Sequence, residues 1–284
     1  METKLYKFSG AGNDFVVIDG REGDVSSFRE VARIEALCKE FKTDGFMILG
    51  SGDAEVDFTM EFYNPDGSGG MMCGNGGRCI VAFADCLGIR PASGEVFLFR
   101  APDGLHTGEI LERPEDGLWE VRIKMIDVQG ITPMLGGLFL NTGTRHFVKF
   151  VDDVEKVDID TEGKALRWDP AFAPVGTNVN FVHVAPDGLH VRTFEKGVEG
   201  ETLACGTGLT ASAIAAYQIS RLRPTGSARN DNTTVISTKA EGRVEKSYRL
   251  RARQDWLSVN FTPGAGEKFT DVYLTGPARL VAVS

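Results

Sequence analysis

The stretches Cys73-Gly74-Asn75-Gly76 and Cys205-Gly206-Thr207-Gly208 decide the fold, because they are two copies of one motif. The cysteines are separated by 132 positions (205 − 73), and the same shift pairs Phe62 with Phe194, eleven residues before each cysteine. One gapless offset that links separated places indicates an internal duplication. The residues after each motif are small and apolar nearly all round, which predicts a buried helix behind each cysteine.

The duplication predicts two homologous halves of an α+β protein, each running from a strand through a Cys-Gly-x-Gly turn into a buried helix. We expect the first half to cover residues 1–130 and the second to cover 131–265. Residues 266–284 also have the pattern of strands, and we expect them to return and complete the sheet of the first half. No low-complexity linker separates the halves, so close packing is expected.

Hydrophobic periodicity predicts many strands and few helices. Apolar and polar residues alternate over 56–62 and 119–125, and further strands are predicted over 15–18, 46–49, 96–99, 147–151, 179–184, 189–194, 248–252, 256–261 and 272–274. Helices are predicted over 76–87 and 206–220, and from a cap at Ser26 or Ser27 to Phe41. On or near one face of that last helix would lie Phe28, Val31, Ala32, Ile34, Cys38 and Phe41.

Composition excludes several classes of protein. The 284 residues are 42% hydrophobic and 25% charged, as in globular proteins and unlike disordered or fibrous chains. A net charge of −9 argues against nucleic acids and anionic membranes as partners. No apolar run is long enough for a membrane helix, and residues 1–5 do not resemble a secretory signal, so a cytoplasmic location is expected. Five cysteines without a CxxC pair predict reduced thiols and no metal site.

The position of Cys73 and Cys205 before a helix has chemical consequences. The first N–H groups of a helix have no partner within the helix and can bind an anion such as a carboxylate. A cysteine at that position is drawn toward the thiolate form. For Cys38, Cys79 and Cys86 we instead expect small core side chains, the ordinary role of a cysteine in an apolar chain.

Two such sulfurs, contributed by pseudo-twofold-related halves, suit stereoinversion at a carbon that carries an acidic proton. One thiolate removes the proton from one face, and the other thiol donates a proton to the opposite face. The helix N-termini would stabilise the negative charge that develops on the neighbouring carboxylate.

The motifs resemble the diaminopimelate epimerase family over nearly the whole chain. The matching pieces are Gly10–Asp19, Asn64–Ser68, Cys73–Cys79, His146, Asn178–Phe181, Glu195, Glu201–Gly208 and Thr275–Ala278. The resemblance implies a cofactor-independent isomerase that interconverts L,L- and meso-diaminopimelate, with no pyridoxal phosphate or metal. It also implies two similar halves, each a mixed, largely antiparallel β-sheet or barrel wrapped around a central helix, and a homodimer.

The resemblance also assigns roles to particular residues. Cys73 and Cys205 match the acid/base pair, and His146 and Glu195 match polar residues close to the thiols. The amides of Asn13, Asn64 and Asn178 match substrate-binding groups, and the groups around the reacting carboxylate correspond to Gly74, Asn75, Gly206 and Thr207. Structural roles compete with some of these assignments, because His146 could be a satisfied strand histidine and Asn64 precedes a proline, as turn residues do.

Two positions depart from the family's pattern. Thr144 stands where the family commonly has an asparagine, and Lys196 stands where it has an arginine. Both positions are associated with the distal end of the substrate, and a lysine binds a carboxylate as a point charge and not as a fork. Arg145 is a candidate to supply that fork.

Three alternatives remain open at this point. A proline-racemase-like enzyme would keep the two thiols and act on another amino acid. A Cys73–His146 nucleophile would catalyse acyl transfer and would not need Cys205. A non-catalytic amino-acid-binding protein of the same fold would leave the retention of both cysteines unexplained.

Overall fold

The computed structural model describes residues 3–70, 72–222, 235–240 and 243–284, which form two compact units. Unit 1 consists of residues 1–124 together with 275–284, and unit 2 consists of residues 125–274. In the part of the chain that is described, none of the helices is both long and apolar enough to cross a membrane.

Unit 1 is built on seven consecutive strands, each hydrogen-bonded to the next. They are β1 (Tyr6–Gly10), β2 (Asn13–Asp19), β3 (Gly45–Ser51), β4 (Phe58–Tyr63), β5 (Val96–Ala101), β6 (Gly104–Glu115) and β7 (Leu118–Lys124). The pairs β2–β3 and β4–β5 are parallel, and the other four pairs are antiparallel.

The helices of unit 1 are α1 (Val31–Phe41) and α2 (Gly74–Cys86). Every residue from Gly74 to Asp85 is buried, and α2 packs against β1, β2, β3, β6 and β7. Glycine allows this close packing, because a Cβ on Gly10 of β1 would lie 2.8 Å from the carbonyl oxygen of Asn75. The predicted buried helix is therefore confirmed, with the sheet wrapped around it.

The prediction of one continuous helix from Ser26 or Ser27 to Phe41 is wrong, because the structure has two separate helical segments there. A 3-10 turn over Ser26–Arg29 is separated from α1 by Glu30, whose ψ of 129° is extended. The break places Phe28 on Phe46, with ring centroids 6.3 Å apart. It also leaves Val31, which was expected on or near the apolar face, 53% exposed.

Unit 2 repeats this arrangement. Its strands are β8 (Ile131–Met134), β9 (Gly137–Asn141), β10 (Arg145–Phe150), β11 (Asn178–Ala185), β12 (Gly188–Glu195), β13 (Gly200–Thr202), β14 (Val235–Ala240), β15 (Arg243–Arg251) and β16 (Trp256–Pro263). Its helices are α3 (Lys164–Arg167) and α4 (Gly206–Leu222), with single helical turns at Val154–Lys156, Ile159–Gly163, Pro170–Phe172 and Ala265–Glu267. The pairs β9–β10, β11–β12 and β15–β16 are antiparallel, whereas β10–β11 and β12–β15 are parallel, as in the order of unit 1.

Helix α4 occupies in unit 2 the place that α2 has in unit 1, because it packs against β9, β10, β11, β12, β15 and β16. The side chains of Leu209, Ala211 and Ile214 are among its buried residues. The predicted α+β class, with a mixed sheet around a helix, is confirmed in both units.

The long strand β17 (Phe269–Val283) serves both units. Its first part belongs to unit 2, where Phe269 forms a bridge with Val128. Its second part lies in unit 1, antiparallel to β7 on one side and to β1 on the other. This second part closes the eight strands of unit 1 into a ring around α2.

The cysteines predicted to be core residues differ from one another. Cys38 and Cys79 are buried, as expected, whereas Cys86 is exposed. Cys86 is the last residue of α2, where the buried stretch that ends at Asp85 has already finished. The prediction of a core role for Cys86 is therefore wrong.

Candidate active site

Cys73 is the N-cap of α2. Its backbone is extended, at φ −104° and ψ 153°, and its Sγ accepts a hydrogen bond from the backbone N–H of Gly76 at 3.3 Å. The thiol side chain is exposed. Because a helix N-terminus and a donated N–H both favour negative charge, this position stabilises the thiolate.

Two asparagines lie together beside this cap. The Nδ2 of Asn75, in the first turn of α2, donates to Oδ1 of Asn13 at 2.5 Å. Asn13 begins β2 after a tight turn in which Ala11 and Gly12 have φ of 58° and 92°. Such a turn gives the shortest connection between antiparallel strands, and it brings Asn13 back toward α2.

Asn64 has a turn role in addition to any contact with a ligand. Its backbone N–H donates to the carbonyl of Ser68 at 2.9 Å, and its Nδ2 donates to Ser68 Oγ at 3.0 Å. These bonds close the loop that follows β4 and leads toward Cys73. The side chain therefore shapes the loop, as its place before Pro65 suggests.

Cys205 directly precedes α4, and its carbonyl accepts the N–H of Leu209 at 2.9 Å. Its side chain is 8% exposed, and its Sγ lies 3.5 Å from Oγ1 of Thr207. The carbonyl of Thr207 in turn accepts the hydroxyl of Thr142 at 2.8 Å. Both cysteines thus begin a buried helix, but only Cys73 is exposed.

His146 is buried on β10 at 0% exposure and is bonded at both ring nitrogens. Nε2 lies 2.9 Å from the hydroxyl of Thr144 and 2.9 Å from that of Thr207, and Nδ1 lies 3.0 Å from Nδ2 of Asn180. Asn180 Nδ2 also donates to the carbonyl of Phe147 at 3.3 Å, which identifies that atom as the donor. Nδ1 therefore accepts, and the neutral ring carries its proton on Nε2.

Burial lowers the pKa of His146 to about 3. The imidazole is consequently neutral at neutral pH. It donates from Nε2 to a threonine hydroxyl, and the hydroxyl of Thr207 can then donate to Cys205 Sγ. A neutral ring with so low a pKa is a poor general base for a Cys–His nucleophile.

Asn178, Glu195 and Lys196 lie together where β12 ends. The Oδ1 of Asn178 accepts the backbone N–H of Lys196 at 2.8 Å, and its Nδ2 donates to the carbonyl of Arg145 at 2.9 Å. Burial raises the pKa of Glu195, and Thr202 partly offsets this increase. The side chain of Lys196 is exposed. Asn178 thus fixes the backbone that carries the two charged residues.

Arg145 points away from this cluster. Neighbouring residues of a strand face opposite sides of the sheet, so the side chain of Arg145 lies on the other face from that of His146. Its guanidinium is 5.2 Å from the ring centroid of Phe139. The hydroxyl of Thr144, in contrast, lies within the cluster, 3.1 Å from Oγ1 of Thr207.

The sequence-predicted residues therefore form two groups, one in each unit. The Cys73 cluster contains Asn13, Cys73, Gly74 and Asn75, with Asn64 in the preceding loop. The Cys205 cluster contains Thr144, His146, Asn178, Glu195, Lys196, Cys205, Gly206 and Thr207. Within the described residues, no three His, Cys, Asp or Glu side chains are grouped as metal ligands would be.

Sequence reasoning missed Asn180, which orients His146. The signal was present, because Asn178 and Asn180 are two residues apart on one strand and therefore share a face. In the structure Asn180 also lies close to Gly208, where a Cβ would be 2.3 Å from Asn180 Oδ1.

Comparison with known proteins decides the family. The family model described as diaminopimelate epimerase matches residues 5–101 and 138–249. The chain belongs to the diaminopimelate epimerase family. It is 36% identical over 282 residues to the diaminopimelate epimerase of Flavobacterium psychrophilum, covering 98% of each chain. It is 41% identical over 238 residues to that of Aquifex aeolicus, covering 75% of this chain and 81% of the relative. The family consists of isomerases, and this chain is an enzyme of that class.

Solved structures with low sequence identity share the fold. A phenazine biosynthesis protein of the PhzF family from Bacillus anthracis has a TM-score of 0.69 at 12% identity, covering 100% of this chain and 99% of that one. A hydroxyproline epimerase from Agrobacterium vitis has a TM-score of 0.61 at 15% identity, covering 99% of this chain and 91% of that one. These similarities support the architecture of the diaminopimelate epimerase family.

Proposed function

We propose that the protein interconverts L,L- and meso-diaminopimelate by proton transfer at the α-carbon, with Cys73 and Cys205 as the two acid/base groups. The observation that carries the proposal is the pair of cysteines, each at the start of a buried helix within a family of this name. The product would serve lysine and peptidoglycan precursor synthesis. We also propose that the protein is a cytoplasmic homodimer. Each subunit would have two catalytic halves. The first would be residues 1–130, completed by residues 266–284, and the second would be residues 131–265.

The proposed chemistry is balanced without a cofactor. One thiolate takes the α-proton and becomes a thiol, and the substrate becomes a carbanion whose charge spreads onto its carboxylate. The other thiol gives its proton to the opposite face and becomes a thiolate. The N–H groups at the starts of α2 and α4, which begin with Gly74, Asn75, Gly206 and Thr207, would hold that carboxylate as its charge increases.

The polar side chains have separate roles in this scheme. The hydroxyl of Thr207 supports a negative charge on Cys205, and neutral His146 orients that hydroxyl. Glu195, whose pKa burial raises, would exchange protons with groups of the substrate or the thiol. Asn13 would bind the reacting carboxylate, and Asn64, Asn178, Thr144 and Lys196 would bind the remainder of the substrate.

The test is exchange of the α-proton of diaminopimelate in deuterated water, with pure reduced protein and no added cofactor. We expect exchange and epimerisation with the wild type, and loss of epimerisation in Cys73→Ala and in Cys205→Ala. Cys86→Ala is the matched control, because it removes an exposed thiol at the other end of α2, and it should keep wild-type activity. Full epimerisation by either active-site variant would contradict the two-thiol mechanism.

A further inference from the structure

A buried cation lies beneath the cap formed by Cys73. Arg78, in the second turn of α2, is 0% exposed. Its guanidinium donates to the carbonyl of Gly74 at 3.2 Å, to Oδ1 of Asn75 at 3.0 Å and to the carbonyl of Pro277 at 3.4 Å. It therefore ties the first turn of α2 to β17 within unit 1. The proposed mechanism gives this arginine no role.

The donors of Arg78 determine which way the neighbouring amides face. A guanidinium can only donate, so Asn75 must turn its oxygen toward Arg78. The Nδ2 of Asn75 is then the atom that meets Asn13, 2.5 Å away. Because that Nδ2 donates, Asn13 must offer its oxygen in return. The NH2 of Asn13 is therefore the end that can serve a ligand.

The orientation matters because a carboxylate needs donors. If the Asn13 amide were reversed, it would present an oxygen to an anion and would repel it. The N–H groups at the start of α2 and the NH2 of Asn13 together make a set of donors, and the charge of Arg78 favours an anion beside them.

We propose that Arg78 is a positioning residue, which fixes Asn75 and Asn13 so that the NH2 of Asn13 faces the carboxylate of the substrate. This inference rests on the proposed function for the identity of that substrate. It adds a residue that holds the donors without touching the substrate.

The second half of the chain supplies a matched control. The 132-residue shift places Thr210 of α4 opposite Arg78. Thr210 is also fully buried, and its hydroxyl donates to the carbonyl of Gly206 at 2.9 Å. At the position in α4 that corresponds to Arg78, the side chain is therefore neutral. The hydrogen bond described for it is made to the preceding turn of the same helix. Thr210→Val should therefore leave catalysis at the wild-type level.

The first experiment compares steady-state kinetics of wild type, Arg78→Met, Arg78→Lys and Thr210→Val with diaminopimelate. For Arg78→Met we expect KM to rise about 10-fold or more, because a charge-assisted contact is lost, while kcat changes by less than about 3-fold. Arg78→Lys keeps the charge but has one nitrogen for three acceptors, so a smaller rise is expected. If circular dichroism shows that Arg78→Met is not folded, the wild type is compared with Arg78→Lys alone.

The second experiment does not require turnover. Cys73 is alkylated with iodoacetate, which carries a carboxylate, and with neutral iodoacetamide, and the rates are measured by peptide mass spectrometry. We expect the iodoacetate-to-iodoacetamide ratio at Cys73 to fall several-fold in both Arg78 variants and to remain constant at Cys205. Wild-type KM values and labelling ratios in both variants would overturn the proposal.

The two experiments separate this inference from the proposed function. If the wild type does not exchange the α-proton of diaminopimelate but the labelling ratio falls as expected, the proposed substrate is wrong and the role of Arg78 stands. If the wild type is active and the variants match it in KM and in labelling, the role of Arg78 is wrong and the proposed function stands.

Discussion

Lowering the pH from 7 to 5 should destabilise the protein through His146. The imidazole is fully buried, and burial lowers its pKa from 6.5 to about 3. Between these values the unfolded chain binds a proton that the folded chain does not, so the stabilisation is complete above pH 6.5 and is lost as the pH falls toward 3. At about 1.4 kcal/mol per pH unit, the loss at pH 5 is roughly 2 kcal/mol.

Urea unfolding followed by far-UV circular dichroism at pH 7 and pH 5 measures this effect. Other groups also respond to acid, so the comparison is with His146→Gln, which keeps a side chain able to form hydrogen bonds but cannot titrate. The variant should be less stable than wild type at pH 7, because it disturbs the bonds to Asn180 and Thr207. Between pH 7 and pH 5, the free energy of unfolding of the variant should fall by roughly 2 kcal/mol less than that of the wild type. Equal losses in the two proteins would refute the reasoning.

Three further predictions follow from individual contacts. Gly208→Ala should lower the free energy of unfolding by about 2–4 kcal/mol, because the added carbon would lie 2.3 Å from Asn180 Oδ1; a wild-type urea midpoint would contradict this. Thr207→Val should slow α-proton exchange about 10-fold or more with the fold retained, because the hydroxyl 3.5 Å from Cys205 Sγ is lost; unchanged single-turnover rates would remove that hydroxyl from the mechanism. Asp85→Asn should cost about 2–4 kcal/mol of stability without altering kcat, because its buried carboxylate accepts bonds from two guanidinium groups and an indole. Burial raises the pKa of Asp85, but these bonds more than offset it and the net pKa is lowered, so wild type should lose part of this stabilisation in acid, and the variant should not.

Several strands with a buried face could be predicted from the sequence, whereas β6, which has almost no buried residues, could not. In β4 and β7 buried residues alternate with partly buried ones, and both strands were predicted. In the twelve-residue strand Gly104–Glu115 only Gly108 is buried, so no period of two marks it. The break at Glu30 was also missed, because it depends on the contact between Phe28 and Phe46 and not on local propensity.

The position of Cys73 and Cys205 at the start of a helix could be predicted because it depends on local sequence. Each owes its environment to the helix that begins with the next residue, and the motif marks that position. Arg78 and Asn180 could not be assigned roles in the same way. Arg78 bonds to Pro277 across 199 positions of the chain, and Asn180 bonds to His146 across 34. Such partners become visible only when the strand register is known.

The place of β17 has a consequence for the order of folding. The second part of this strand fills the gap between β1 and β7, yet it follows unit 2 in the chain. While unit 2 is being synthesised, β1 and β7 lack the partner that lies between them, and their unpaired N–H and C=O groups form an open seam. Unit 2 has its own strands as soon as it emerges from the ribosome. We therefore expect unit 2 to complete its fold before unit 1, although unit 1 is synthesised first.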